Sequence, residues 1–271
     1  MSLSWRERTR IALSPREVAL VRFGRGWGLR VIERRSIACP EVTGQEIWAG
    51  AVEGLRALLA QPGLVKGDAT LILSSHFVRY MVLPWSAELV TEAEEREFAR
   101  NRFVQIFGQA ASDWTIVVSA APAGAARLCA AVDQALIGAV RGAIAASALR
   151  LVSVQPALMV QFNEWRQRIG TDGWLVIAEQ GRLLVAWVCR GQWRSVRARP
   201  LNAAAIPLAQ VLEQEQLLLA AGSGEQKVFL AKTGYVTVET EGLRVERLAL
   251  RAPLARAAGA DAGLALAMCG I

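Results

Sequence analysis

One pattern of apolar runs and turns is written twice along the 271 residues of this chain, and any fold for it has to contain both copies. In the first copy Arg8 to Leu13, Val18 to Phe23 and Leu29 to Ile37 read as three short strands, with the turn Gly24-Arg25-Gly26 before the third. An imperfect helical stripe follows from Gln45 to Leu59 (Ile47, Val52, Leu55, Leu58, Leu59), closed by Pro62-Gly63, and then a strand at Thr70. The second copy runs Trp174 to Glu179, Leu183 to Val188, the turn Arg190-Gly191-Gln192, and Trp193 to Arg199. A helix from about Ile206 to Ala220 (Leu208, Val211, Leu212, Leu217, Leu218) and a strand from Lys227 to Ala231 complete it. A βββαβ unit thus occurs twice, roughly 165 residues apart. Strands at Tyr235 to Glu239 and Leu243 to Leu248, and an Ala-rich helix from about Asp261, close the chain.

The material between the copies is of another kind. Strand runs at Thr70 to Leu73 and Val78 to Pro84 lead through Leu83-Pro84-Trp85 into a helix over Ser86 to Phe107. Thr91 and Glu94 have capping-box spacing, and Ala99, Phe103, Ile106 and Phe107 recur as one buried face. Two more strands, Trp114 to Ser119 and Arg127 to Val132, precede Asp133, a good N-cap for a helix whose Leu136, Ile137, Val140 and Ile144 share a side. Leu149 to Val154 is again strand, and Pro156 suits the first turn of a helix through Arg168. Gly170-Thr171-Asp172-Gly173 is the most turn-rich point and marks a boundary. The expected organisation is α/β with a first half over 1–84, an inserted small α+β subdomain with connecting helices over 85–169, and a second half over 170–271.

Composition removes several function classes. With 53% hydrophobic residues the chain can cover a large core, which excludes global disorder. The most membrane-like window, Ala135 to Val154, contains Arg141 and Arg150, so no spanning helix is expected. The N-terminus has Arg6, Arg8 and Arg10 without the apolar segment of a secretory signal, which places the protein in the cytoplasm. Cys39, Cys129, Cys189 and Cys269 form no CxxC pair, so reduced, mostly buried thiols are expected rather than a zinc site or a disulfide framework. The net charge of +7 is carried by Arg, nine of them in the first 35 residues against Glu7, Glu17 and Glu33, so a basic face near the N-terminus is expected. Arg without interleaved surface aromatics is a poor nucleic-acid signature.

Two βββαβ halves, an insertion after the first and a small-residue closing helix (Gly259-Ala260-Asp261-Ala262-Gly263-Leu264-Ala265-Leu266) resemble the actin-like, RNase H-like ATPase superfamily. The order is similar to that of the PilM and GspL group, cytoplasmic actin-like proteins of type IV pilus and type II secretion machines. The residues that carry it are the strand ending at Leu83-Pro84, the acidic helix Glu88 to Phe107, the run Leu149-Arg150-Leu151-Val152-Ser153-Val154-Gln155-Pro156, and Gly263-Leu264-Ala265-Leu266.

The resemblance implies a phosphate-cradling first turn of the type Asp-x-Gly, followed by Lys on the second strand. Here Ala12 stands at the Asp, Ser14 at the Gly and Ala19 at the Lys, and Pro15 has no N–H to offer a phosphate nest. Ala12 and Ser14 are expected on a turn beside the interdomain cleft. The second turn, Ala178-Glu179-Gln180-Gly181, keeps one carboxylate, which fits either a solvated strand end or a metal or phosphate role. The adenosine loop, Leu230 to Tyr235, has one Gly where the superfamily has several. His76 beside Ser74 and Ser75 reads as a turn histidine, because a nucleophilic triad needs an orienting group and an oxyanion site that the sequence does not mark. Glu92, Glu94, Glu95 and Glu97 complement a helix dipole and are expected to face water. Nine Trp exceed what a core of this size takes, and Trp85 is the one expected at the surface.

These readings lead to a non-catalytic actin-like scaffold, not an enzyme, without cofactor or metal. It would lie in the cytoplasm, peripheral to the inner membrane through its partners. The alternative is an active ATP-binding ATPase or sugar-kinase-like enzyme of the same fold, since fold alone does not fix function. The resemblance implies as partner the cytoplasmic N-terminal segment of an inner-membrane pilus or secretion protein, with an assembly ATPase as a further candidate and no nucleic acid. Such a peptide would lie in a groove between the first-half core and the insertion. Trp85 is its expected anchor, unless it is core, and Arg79, Phe98, Arg102 and Phe103 are the expected surround.

Overall fold

A computed structural model describes residues 8–24, 30–42, 46–201, 207–219, 227–232 and 236–271. The chain divides into two compact units, Met1–Val78 with Val132–Glu164 and Leu250–Ile271, and Arg79–Ala131 with Trp165–Ala249. These units cut across the three linear segments because the chain crosses from one to the other four times.

The first unit is built on a five-stranded sheet. Its strands are β1 (Arg8–Leu13), β2 (Glu17–Phe23), β3 (Val31–Ala38), β4 (Gly67–Leu73) and, later in the chain, Leu149–Pro156. Their order is β3-β2-β1-β4 and then the Leu149–Pro156 strand, with β1 antiparallel to β2 and parallel to β4. From Thr9 onward β1 is buried throughout, as expected of a central strand covered on both faces. Helix α1 (Ala49–Leu59) lays Ala51, Val52, Leu55 and Leu58 on the sheet. It starts after Ile47, which is 61% exposed, so the expected stripe loses its first member.

The second unit starts with β5 (Val78–Leu83). This strand belongs to a separate three-stranded sheet, order β5-β7-β6, with β6 (Trp114–Val118) and β7 (Arg127–Asp133). Helix α2 (Glu92–Phe107) covers one face of that sheet, packing Ala99 and Phe103 with Leu83, Ile116, Cys129 and Ala131. The capping box forms as read: Thr91 Oγ1 accepts from Glu94 N, and Glu94 returns its carboxylate to Thr91 N. Ile106 and Phe107 are not part of the buried face; they are 56% and 40% exposed, with the Phe107 ring resting 5.4 Å from that of Trp114. A short 3-10 helix (Gln109–Asp113) joins α2 to β6.

Helix α3 (Gln134–Ala145) begins where read, with Asp133 Oδ1 accepting from Ala135 N while its Oδ2 accepts from Trp48 Nε1 at 2.9 Å. The strand Leu149–Pro156 is β8, and it includes Pro156, so helix α4 (Ala157–Ile169) starts one residue later. The second five-stranded sheet contains β9 (Gly173–Glu179), β10 (Arg182–Cys189), β11 (Gln192–Pro200), β12 (Val228–Lys232) and β13 (Val245–Leu248), in the order β11-β10-β9-β12-β13. Antiparallel and parallel pairings match those of the first sheet strand for strand. The duplication therefore reaches one strand further than βββαβ, with β8 and β13 as equivalent fifth strands.

Helix α5 (Leu208–Leu218) buries Leu208, Val211, Leu212 and Glu215, and leaves Leu217 and Leu218 81% and 63% exposed. Apolarity suggested the two leucines, but steps of three and four from Leu208 reach position 215. Of the strand read at Tyr235 to Glu239, the described residues 236–239 form none. The chain ends with α6 (Ala252–Ala258), hidden from sequence reading in an Ala-rich run, and α7 (Ala262–Ala267), which starts where expected and is capped by Asp261. Gly24 is described, whereas the rest of its turn, Arg25 and Gly26, and the helix limits at Gln45, Ile206 and Ala220 lie outside the described residues.

Candidate functional site

The β1–β2 hairpin is where the resemblance places a phosphate. Its backbone donors are used within the turn. Ser14 N donates to Glu17 O at 3.0 Å, Ser14 Oγ donates to the same carbonyl, and Glu17 N donates to Ser14 Oγ at 3.1 Å. Pro15 has no N–H. Of four consecutive residues only Arg16 keeps an uncommitted donor, too few for a nest. Ala12 is not on the turn but inside β1, 1% exposed, directly across from Ala19 of β2.

The space that a lysine at 19 would need is filled. Helix α7 packs on β1 and β2, and a Cβ on Gly263 would lie 2.7 Å from the Ala19 Cβ, so only glycine permits this approach. The first turn of α7 takes in Glu17, whose Oε2 accepts from Gly263 N at 3.1 Å. Burial, and then a hydrogen bond and charge repulsion from Asp261, raise the Glu17 carboxyl to about 7. Asp261 also caps the helix, accepting from Leu264 N at 2.6 Å. A carboxyl pair and a helix N-terminus thus stand beside the first turn, and only the start of the helix was legible in sequence.

On the β9–β10 turn the retained carboxylate is not a solvated strand end. Glu179 is 5% exposed. Arg182 opens β10 in its neighbourhood, and Arg79 of β5 is close enough to disfavour the Arg182 charge. Burial is the main cause of the lowered Arg182 value, with Arg79 second, and burial alone lowers Arg79. Two guanidinium groups repel a divalent cation, so this turn is poorly suited to hold Mg²⁺. Among the described residues no group of His, Cys, Asp and Glu is arranged to hold a metal. The adenosine loop enters the structure only through the end of β12; residues 233–235 lie outside the described residues.

The five residues read as a partner site separate into three environments. Trp85, just after β5, is 44% exposed and the only exposed Trp among those described. Trp5 and Trp27 lie outside the described residues. Phe98 is 40% exposed on α2, and Arg102 is exposed there, donating to Gln105 Oε1 at 3.1 Å. Arg79 is half-buried beside Arg182. Phe103 is a correction: it is fully buried beneath α2, 5.9 Å from Phe107 and 6.2 Å from Trp114 between ring centroids, and has no surface to give a partner. Helical geometry sets Phe98 and Phe103 on different faces, five residues being about 500°.

The remaining expectations divide the same way. His76 sits in the β4–β5 turn, where Ser74 Oγ accepts from His76 N and contacts its Nδ1 at 3.0 Å. Among the acidic residues of α2, Glu95 turns inward and pairs with Arg127 at 3.0 Å instead of facing water. All four cysteines are free thiols, Cys129 and Cys269 buried, with burial pushing Cys39 to about 11 and Cys129 to about 12. The basic face is smaller than read. Arg10 is buried and donates to Gly270 O, Arg22 and Arg35 share Glu33, and Arg34 donates to Ala257 O. Arg6 and Arg25 lie outside the described residues.

No protein-family model matches the sequence, and comparison with curated proteins gives no significant match. Solved structures do match in fold. The PilM–PilN type IV pilus biogenesis complex matches with a TM-score of 0.67 at 12% identity, over 98% of each chain. The cytoplasmic domain of EpsL, an inner membrane component of the type II secretion system of Vibrio cholerae, matches at 0.56 and 14% identity, over 90% of each chain. A Bacteroides thetaiotaomicron protein with an actin-like ATPase fold and unknown function matches at 0.55 and 11% identity, over 86% of this chain and 84% of the other. The fold is actin-like. Among the described residues, no helix is long and apolar enough to cross a membrane.

Proposed function

We propose that this chain is a non-catalytic actin-like scaffold of a type IV pilus or type II secretion machine, working at the cytoplasmic face of the inner membrane. The observation that carries the reading is the β1–β2 turn, whose donors are consumed by Ser14 and Glu17 within a fold similar to that of PilM and EpsL. The filled space above Ala19 and the guanidinium pair at the β9–β10 turn support it. Its partner is a protein: the cytoplasmic N-terminal segment of an inner-membrane component, by analogy with the complex that PilM forms with PilN. An assembly ATPase is a second partner of the same machine, and nucleic acid is not a partner. Trp85, Phe98 and Arg102 present the contact: two half-exposed aromatic side chains, and an exposed cation able to hold a carboxylate or a backbone oxygen.

Two measurements test this. Thermal unfolding with Mg-ATP should show no shift at millimolar nucleotide. A ligand present at about 100 times its dissociation constant stabilises by about 2.7 kcal/mol, so a shift of that size overturns the non-catalytic reading. In titration with a synthetic peptide copying the cytoplasmic N-terminal segment of a PilN-type inner-membrane protein, Trp85→Ala should abolish binding. Because Trp85 is 44% exposed, the variant should lose no more than about 1 kcal/mol of stability. Unchanged peptide affinity would remove Trp85 from the site.

A further inference from the structure

Strand β6 ends the three-stranded sheet, and among the described residues no strand pairs with its outer edge. The bonding pattern says which groups face outward. Ser119 N, directly after the strand, donates to Leu128 O on β7 at 2.8 Å. Backbone groups alternate sides along a strand, so Thr115 and Val117 also turn to β7, while Trp114, Ile116 and Val118 point away from it. Trp114 is already satisfied: its N–H bonds Ala111 O, and its carbonyl accepts from Arg100 Nη1 at 3.2 Å. Arg100 thus closes one end of the edge, and the N–H and C=O of Ile116 and of Val118 remain. Among the described residues these four groups have no backbone partner beyond the strand.

The side chains along this edge lack the usual protection. Trp114 to Val118 contain no charge and no Pro, the devices by which edge strands are normally kept from pairing. Val117 is 63% exposed on the face turned away from α2, because Trp114, Ile116 and Val118 pack on the α2 side.

We propose that two copies of this chain associate edge to edge through β6, antiparallel, in the register centred on Val117. That register pairs Ile116 of each copy with Val118 of the other. Each such pair exchanges two N–H···O bonds, so four bonds satisfy all eight open groups of the two strands and disturb none of those already made. Val117 then faces its counterpart in a non-hydrogen-bonded pair, where strands approach most closely. Thr115 faces Ser119 and Trp114 faces Ala120, so the strands set no charge against a like charge. A second copy fits because donors, acceptors and neutral side chains are reciprocal about one two-fold axis, the isologous arrangement. Two three-stranded sheets become one of six strands.

The interface is small, so dimerisation should be seen by sedimentation equilibrium of the full chain at roughly 0.1–1 mM. Val117→Lys sets two like charges opposite each other and should weaken association about tenfold or more, with no change in thermal unfolding because the position is exposed. Val117→Cys should oxidise readily to a cross-linked dimer, since facing residues in this pair meet disulfide geometry. Thr115→Cys should not cross-link, because the two copies of position 115 are about 13 Å apart along the strand. The natural chain under the same oxidant is the blank. A wild-type chain that stays monomeric over that range, a dimer indifferent to Val117→Lys, or equal cross-linking at 115 and 117 would each overturn the proposal.

Discussion

Replacing Glu17 with Gln isolates the contribution of one proton to the first unit. In the folded chain the Glu17 carboxyl, raised from 4.5 to about 7, is held by Gly263 N and by Asp261. Gln keeps both contacts without a charge: its Oε1 can accept from Gly263 N, and its Nε2 can donate to Asp261. The sign follows from linkage. A carboxyl whose folded value lies above its unfolded value stabilises fully below the unfolded value, and that stabilisation fades as pH rises through the folded one. Wild-type stability should therefore fall between pH 4.5 and about 7 from this group. The displacement corresponds to about 3.4 kcal/mol at full strength. Because Glu17 is only half-buried, water screens it to roughly 1–2 kcal/mol. Glu17→Gln should match wild type at pH 4 and exceed it at pH 8 by roughly 2–6 °C in Tm. Glu17→Ala, which offers Gly263 N no acceptor, should be less stable than Glu17→Gln at both pH values. Circular dichroism melts of the three proteins at pH 4, 6 and 8 are sufficient. A Glu17→Gln difference that is the same at pH 4 and pH 8, or a variant less stable than wild type at pH 8, would refute the shared-proton account.

Two other substitutions test the packing. Phe103→Ala should cost about 3–5 kcal/mol, measured by urea unfolding, because the ring is fully buried between α2 and the three-stranded sheet. Glu215→Gln breaks pairs with Arg197 at 3.0 Å and Arg199 at 2.7 Å from a carboxylate with no exposed surface. Removing one partner of a buried pair costs about 3–5 kcal/mol, and since both arginines keep part of their surface in water, about 2–3 kcal/mol is expected here.

What was written in the chain locally could be read from it. Apolar runs between turns located the central strands, because a strand buried on both faces needs consecutive apolar residues whatever it packs against. Thr91 with Glu94, and Asp133, gave their helix starts, because a capping bond closes within three residues. The repeated unit pointed to the fold class, and Ala12, Ser14 and Ala19 were legible as residue types unlike the Asp, Gly and Lys that the resemblance implies there. Contacts between distant positions were not. Nothing near Glu17 announces Gly263, 246 residues away, and nothing in β5 announces that it leaves the first sheet to join β7. Phe98 and Phe103 look alike in sequence, yet one is half-exposed and the other buried, because the helix turns about 100° per residue over a sheet three strands wide. Glu179 and Arg79 changed meaning for the same reason. A side chain's charge is fixed by its type, but whether that charge meets water, a helix N-terminus or another guanidinium is decided only when the chain closes on itself.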